Sequence, residues 1–224
     1  ETSYRIKTIV IDAGHGGKDP GCSGRHSREK HIALAVALAF GSKIEAQYPD
    51  VRVIYTRKTD VFIPLHERAA IANRNNADLF ISIHCNYIPK ASFVNGSETY
   101  VMGLHRAKEN LAVAKRENAA ILLEDNYEKN YGDFDPNSNE GHIILSMFQN
   151  AYLEQSIFLA EKIEGRIASS AQRHSRGVKQ AGFLVLRETT MPSILVETGF
   201  LRNRQEEGFL RTAAGQELMS QALF

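Results

Sequence analysis

Several things are scarce in this chain, and each scarcity removes a class of protein. Two of its 224 residues are cysteine, too few for a disulfide framework or a four-thiolate zinc module. Lys and Arg total 27 against 26 Asp and Glu, a net charge of +1, so no basic field exists to hold a nucleic-acid backbone. No apolar run approaches the roughly 20 residues that span a bilayer. Internal repeats and low-complexity tails are absent as well. What remains, 43% hydrophobic and 24% charged residues, is the balance of an ordinary globule, and the length suits a single domain over residues 1–224 with a sizeable core. No signal peptide opens the chain at Glu1, so the expectation is a processed or trimmed form.

Against that plain background, four short stretches each carry a residue able to bind or work a metal: IVIDAGHGG with His15, SREKHIAL with Glu29, LFISIHCN with His84 and SILVETGF with Glu197. Three of them are β-branched-rich runs of strand length with the polar residue at the downstream end. In a parallel α/β sheet the carboxyl ends of strands gather at one edge, where ligands bind. Two imidazoles and a carboxylate with one position open is the ligand set of a hydrolytic zinc site. Each residue also has a duller reading. A lone buried His is more often a hydrogen-bonded core residue, and Glu29 suits the first turn of a helix, where the dipole favours an acid. Glu197 is harder to dismiss, because burying an unpaired carboxylate costs several kcal/mol. The joint pattern, with His15 and His84 in the same strand-end context, favours the site. Cys22 and Cys85 lie near these residues, but Cys85 follows His84 in a strand and should point to the opposite face. Two free, partly buried thiols are expected, and nothing in the pattern demands a disulfide.

The organisation is βαβ. A strand over 4–11 breaks at Gly14, Gly16 and Gly17, which let the backbone turn and leave room for substrate above His15. A helix over 29–48 carries Ile32, Val36 and Ile44 on an apolar face. VRVIYTR alternates as a strand, Pro64 marks a helix start, 79–84 is a buried strand, and SETYVMG is another. The segment 105–150 differs: a charged helix over 106–125 is followed by a polar loop over 126–141, and loops that long are usually functional or mobile. A helix over 152–171, strands in GFLVLR and PSILVETGF, and a closing helix over 202–223 complete the reading. The expected fold is α/β, a mostly parallel mixed sheet flanked by helices on both faces, with one helical insertion.

Taken in order, IVIDAGHGGKDPGCSG, the EK of Glu29, TRKTDVFIPLHERAAIANRNNADLFISIHCN and GFLVLRETTMPSILVETGFLRN resemble the zinc-dependent N-acetylmuramoyl-L-alanine amidases of bacterial cell walls. The matching blocks cover roughly residues 6–102 and 176–211, and their combination is specific where GHGG alone is weak. One departure is Cys22, where the pattern of the DPG-x-x-G turn leads one to expect a small apolar residue; no ligand role falls there.

The resemblance implies Zn²⁺ held by His15, Glu29 and His84, with Glu197 taking a proton from water and delivering it to the leaving amine. It implies peptidoglycan as substrate, cut between the lactyl group of N-acetylmuramic acid and L-alanine, and a periplasmic or extracellular location. Two other readings compete: a zinc peptidase or deacetylase on the same site, and a wall-binding module without turnover. Glu197 speaks against the last, since a pure binder has little use for a spare carboxylate beside the metal. The closest resemblance is to division-type amidases, some of which carry an insertion here that covers the zinc and is withdrawn by an activator protein. Glu109, Glu117 and Glu124 all lie on the corresponding helix. Such acids are usually just solvated, but Glu117, in KRENAAI, is the favoured candidate for a fourth, inhibitory zinc contact.

Overall fold

The β-branched runs form strands and the residues between them form helices. The order is β1 (Thr8–Ala13), α1 (Glu29–Gln47), β2 (Arg52–Tyr55), α2 (Leu65–Arg74), β3 (Leu79–Asn86), β4 (Ser97–Met102), α3 (Lys108–Asn118), a 3-10 turn (Ala119–Leu123), α4 (Tyr127–Tyr131), α5 (Asn139–Ser146), α6 (Leu153–Ser170), β5 (Ser175–Ala181), α7 (Leu184–Arg187), β6 (Ser193–Phe200), α8 (Arg204–Leu210) and α9 (Ala213–Leu223). The computed structural model describes residues 5–104, 107–148 and 151–224. Tyr4 and the stretch's outer positions His105, Arg106, Gln149 and Asn150 therefore lie outside the described residues.

The six strands make one sheet in the order β2-β1-β3-β6-β4-β5. Every neighbouring pair is parallel except β6 and β4, which run antiparallel. Successive side chains of a strand point to opposite faces, and this parity sorts the core. Ile9, Ile11, Ile81, Ile83, Cys85, Ile194 and Val196 pack on one face with residues of α1, α6 and α9. Val10, Phe80 and Leu195 pack on the other, with α2, α3, the 3-10 turn and α7. Asp12, His84 and Glu197 share the parity of that second set, so the candidate residues His84 and Glu197 sit on the sheet face that α3 covers. Cys85 lies on the opposite face, and both cysteines are free thiols.

Four elements differ from the sequence reading. The first strand starts at Thr8 and runs on to Ala13. GFLVLR is not a strand: Leu184–Arg187 is a helical turn whose first amide donates to Asn118 Oδ1 at 2.9 Å, a side-chain acceptor taking the place of a sheet partner. The true edge strand is the polar SRGVKQA, whose weak apolar alternation hides it. The polar stretch 126–141 holds α4 and the start of α5, where Ser138 caps the helix by accepting from Gly141 N at 3.0 Å. The closing helix is two, broken where Thr212 caps α9 by accepting from Gly215 N at 3.0 Å.

Candidate active site

Strand β1 delivers the chain to a tight turn in which His15 adopts a left-handed backbone, φ 59°, a conformation uncommon for any residue but glycine. Arg68 of α2 holds it there. Fully buried, its guanidinium pairs with Asp12 at 2.8 Å and donates to the carbonyls of Ala13, His15 and Ile63 at 2.8, 2.8 and 2.9 Å. The neighbouring glycines serve a different purpose from the one their clustering implies. A Cβ on Gly14 would overlap the His84 ring, and one on Gly21, at φ +64°, would fall 2.6 Å from His15 Cδ2 and 2.7 Å from Glu29 Oε2. Gly14 and Gly21 thus make room for the candidate ligand side chains, while Gly16 and Gly17, at φ +125° and +56°, take the expected turn and lie against Val61 and Phe62.

Each of the side chains is fixed by its own partners. His15 Nδ1 donates to Asp19 Oδ2 at 2.7 Å, which turns Nε2 into the cluster. Glu29, in the first turn of α1, accepts from Cys85 N through Oε1 at 2.9 Å and from Cys22 N through Oε2 at 2.8 Å. His84, at the end of β3, lies with Nδ1 3.0 Å from Glu29 Oε1. The fourth member is Glu117 of α3: its Oε2 is 3.1 Å from His15 Nε2 and 3.1 Å from His84 Nδ1. All four residues are buried, and one donor atom from each lies within 4.8 Å of the others. Of the other two acids considered on that helix, Glu109 is exposed. Glu124 is buried but accepts from Leu65 N at 2.7 Å and from the Tyr131 hydroxyl at 2.8 Å, away from the cluster.

Glu197 is the register partner of His84 across β3 and β6. It is fully buried: Oε1 meets Arg116 Nη2 at 3.1 Å, and Oε2 has no hydrogen-bond partner among the described residues. Burial pushes its carboxyl well above the usual range; Arg116 opposes that, while Glu117 and Glu29 add to it. Arg116 also donates to Glu117 Oε1 at 2.8 Å and to the Tyr87 carbonyl at 2.8 Å. Glu98, opposite Glu197 on β4, takes no comparable position, because Tyr100, Asn86, Arg176 and Lys179 all donate to its carboxylate.

The donor set can be tested for a metal. With its Nδ1 proton on Asp19, a neutral His15 turns a lone pair toward carboxylate oxygens of Glu29 and Glu117, each 3.1 Å away. Neither contact is a hydrogen bond, and His15 Nε2 and Glu117 Oε2 are both buried without one. Three lone-pair donors at that separation are matched by a cation held between them, the arrangement a metal site has. In its absence the imidazoles must themselves be protonated. Burial opposes that, yet Glu29, Asp19 and Glu117 together raise His15 well above its ordinary value, and Glu117 leads in raising His84 to about 9. Two nitrogens and two carboxylates are the right chemistry for zinc.

Comparison with known proteins agrees. The family model described as N-acetylmuramoyl-L-alanine amidase matches residues 9–224. The chain belongs to the N-acetylmuramoyl-L-alanine amidase family. The amidase AmiA of Escherichia coli K12 is 35% identical over 222 residues, covering 97% of this chain and 73% of that relative. Among solved structures, an N-acetylmuramoyl-L-alanine amidase of Clostridium difficile 630 superposes with a TM-score of 0.71 at 26% identity, over 97% of this chain and 92% of the other. The CwlD amidase of Clostridioides difficile, solved in complex with the GerS lipoprotein, gives 0.68 at 25% identity, over 97% and 94%. By family, the amidase is an enzyme that hydrolyses an amide of peptidoglycan.

Of the six acidic and histidine residues that meet here, the sequence had singled out four from strand ends, a helix start and resemblance, and Glu117 from resemblance alone. It missed two others. Asp19 has a weak signal, an acid four residues after a histidine in a glycine-rich turn. Arg116 has none, since a helical arginine is ordinarily solvated.

Proposed function

We propose that this amidase is a zinc enzyme held in a closed state by its own helix α3. His15, Glu29 and His84 hold the ion, and Glu117 takes the position that substrate or water needs. When bound, zinc supplies Lewis acidity toward an attacking water and the scissile carbonyl. Glu197 supplies the proton transfers: its unpartnered Oε2 takes a proton from water and returns it to the departing L-alanine nitrogen. Asp19 keeps Nε2 of His15 directed inward, and the Cys22 and Cys85 amides fix the Glu29 carboxylate in place. Against the pull of burial, His15, with His84, holds that carboxyl below its usual range. With α3 seated, Arg116 also engages Glu197, so the closed helix occupies both the metal and the acid/base group.

The observation that carries this reading is the meeting of four buried donors from the turn after β1, α1, β3 and α3 within 4.8 Å, next to a spare buried carboxylate. α3 is held more by polar contacts than by apolar packing: of its buried residues Asn110, Val113, Ala114, Glu117 and Asn118, three are polar. Release therefore breaks hydrogen bonds, such as those of Asn118 to Gly182 O and from Leu184 N, that water can replace. An activator protein would draw it off. Two observations support a protein partner: the lipoprotein bound to the Clostridioides difficile amidase, and the exposed apolar residues Ile143, Ile144, Met147 and Phe148 at the end of the same segment. A cell-envelope location, periplasmic or extracellular, follows from the substrate; no helix among the described residues is long and apolar enough to cross a membrane.

The test is product analysis. Zinc-loaded protein incubated with purified peptidoglycan should release, at the low basal rate of the closed state and faster in Glu117→Ala, peptides bearing a new L-alanine amino terminus and leave glycan without peptide, with Glu197→Gln as control. New termini elsewhere in the peptide, or freed acetate, would overturn the assignment.

A further inference from the structure

Beside the buried cluster, at the same sheet edge, lies an open groove of about 730 Å³. Its walls come from the turn before α1, the connection between β3 and β4, and the connection from β6 into α8. Both rims are tied directly to the site. Cys22, one residue before the groove, donates its amide to Glu29 at 2.8 Å, and the carbonyl of Tyr87, a lining residue, accepts from Arg116 at 2.8 Å. The walls are also tied to each other: Leu201 N donates to Asn86 O at 2.9 Å, and Asn203 Nδ2 to Val94 O at 3.2 Å.

The charge is one-sided. Arg25, Arg202 and Arg204 line the groove and are exposed, and among the described residues none has an ion-pair partner. The one acid on the wall, Glu207, keeps its charge but is buried, with its carboxylate turned to His26 N at 2.6 Å and Ser27 Oγ at 2.9 Å, so the charges exposed to the groove are the three arginines. Three free guanidiniums around a concavity are notable in a chain whose net charge is only +1. A guanidinium fork pairs bidentately with a carboxylate. Uncharged N-acetyl sugars have no such use for it. Phe93, 79% exposed on the rim, adds an apolar contact that an alkyl side chain can cover.

We infer that this groove is a subsite for the peptide side of the scissile amide, recognising free carboxylates of the stem peptide through Arg25, Arg202 and Arg204. This rests on the proposed reaction. No lining residue comes from the 105–150 segment, so the subsite is open while α3 still covers the metal. Peptide capture is therefore separate from activation, and the closed enzyme can already be docked on the wall.

The experiment reads binding with no bond broken. Intact protein is titrated, by calorimetry and by amide NMR, with the tripeptide L-Ala-γ-D-Glu-diaminopimelate, with the same peptide carrying carboxamides in place of its carboxylates, and with chitotetraose. The free peptide should bind and perturb Tyr87, Phe93 and Arg202, and its amidated counterpart should bind at least about tenfold more weakly. Arg202→Ala and Arg204→Ala should each lower affinity about three- to tenfold, consistent with partly exposed charge-assisted pairs, with melting temperature unchanged because both side chains are exposed. Equal binding of the two peptides, wild-type affinity in the Arg202→Ala/Arg204→Ala double variant, or chitotetraose taking the same residues in preference would overturn the subsite. Carboxylate-dependent binding by a protein that cuts some other bond would uphold the subsite and reject the reaction. Correct products without carboxylate-dependent binding would do the reverse.

Discussion

If His15, Glu29 and His84 hold zinc as proposed, Glu117 is the one further donor within reach among the described residues. As an inhibitory contact that leaves with α3 it cannot replace a lost ligand, so removing any of the three should empty the site. In His84→Ala or Glu29→Gln, zinc measured by plasma emission should fall from about one ion per chain to below about a tenth, and activity with it. Full occupancy in His84→Ala would show that the ion sits elsewhere. Glu197 belongs to a different experiment. It lies beside the ligands, with one oxygen unpartnered, so Glu197→Gln should keep its zinc while kcat drops by about 10²–10⁴. A zinc-replete Glu197→Gln enzyme with near-normal kcat would remove its acid/base role. Three of these four residues were legible because a strand's downstream end is marked by the β-branched run before it. Glu29 needed the helix start and the resemblance. Asp19 and Arg116 were not legible, since their importance lies in which side chain they touch, and nothing local in sequence encodes that.

At the scale of elements, the proposed closed state makes α3 the part to alter. Glu117→Ala removes the contact to the ligands but leaves Arg116 on Glu197, so it should raise activity on soluble muropeptides only partly. Deleting 106–139 with a short linker removes both contacts and should raise activity further. A deletion variant that folds, binds zinc and is no more active than the parent would make the segment a docking arm and not an inhibitor. The elements misread from sequence have a common cause. SRGVKQA is a polar edge strand, and FLVLR is an apolar turn buried on all sides; in both, tertiary surroundings overrode local pattern. The antiparallel direction of β4 was equally hidden, because a strand's direction depends on the path of the connection before it, and not on its residues.

For the molecule as a whole, the Asp12–Arg68 pair joins the sheet to the helix layer above it and supports the His15 turn. Asp12→Asn would leave a buried guanidinium without its counter-charge, a change that typically costs about 3–5 kcal/mol, or roughly 10 °C in melting temperature at this size. Burial raises the Asp12 carboxyl, but Arg68, with hydrogen bonds from Ser82 and Thr56, outweighs burial and holds it below the usual range. Its stabilising contribution is therefore complete above about pH 4, the unfolded value, and fades as pH falls through the lower folded value. Urea titrations at pH 7 and pH 3 should show wild type losing more stability than Asp12→Asn over that interval. Equal losses would mean that the pair contributes nothing to acid sensitivity. The broad architecture was legible from alternating strand and helix patterns, which parallel sheets require.

The position of the 105–150 stretch in the sheet order has one further consequence. It departs after β4, and the chain returns through α6 to β5, both strands on the far side of β6 from β1 and β3. The three strands that present His15, His84 and Glu197 are therefore contiguous and contain no joint with it. On the proposed mechanism, lengthening, shortening or replacing this stretch would change when the enzyme works without redrawing how it works. Control and chemistry can then diverge at separate rates among descendants of one fold.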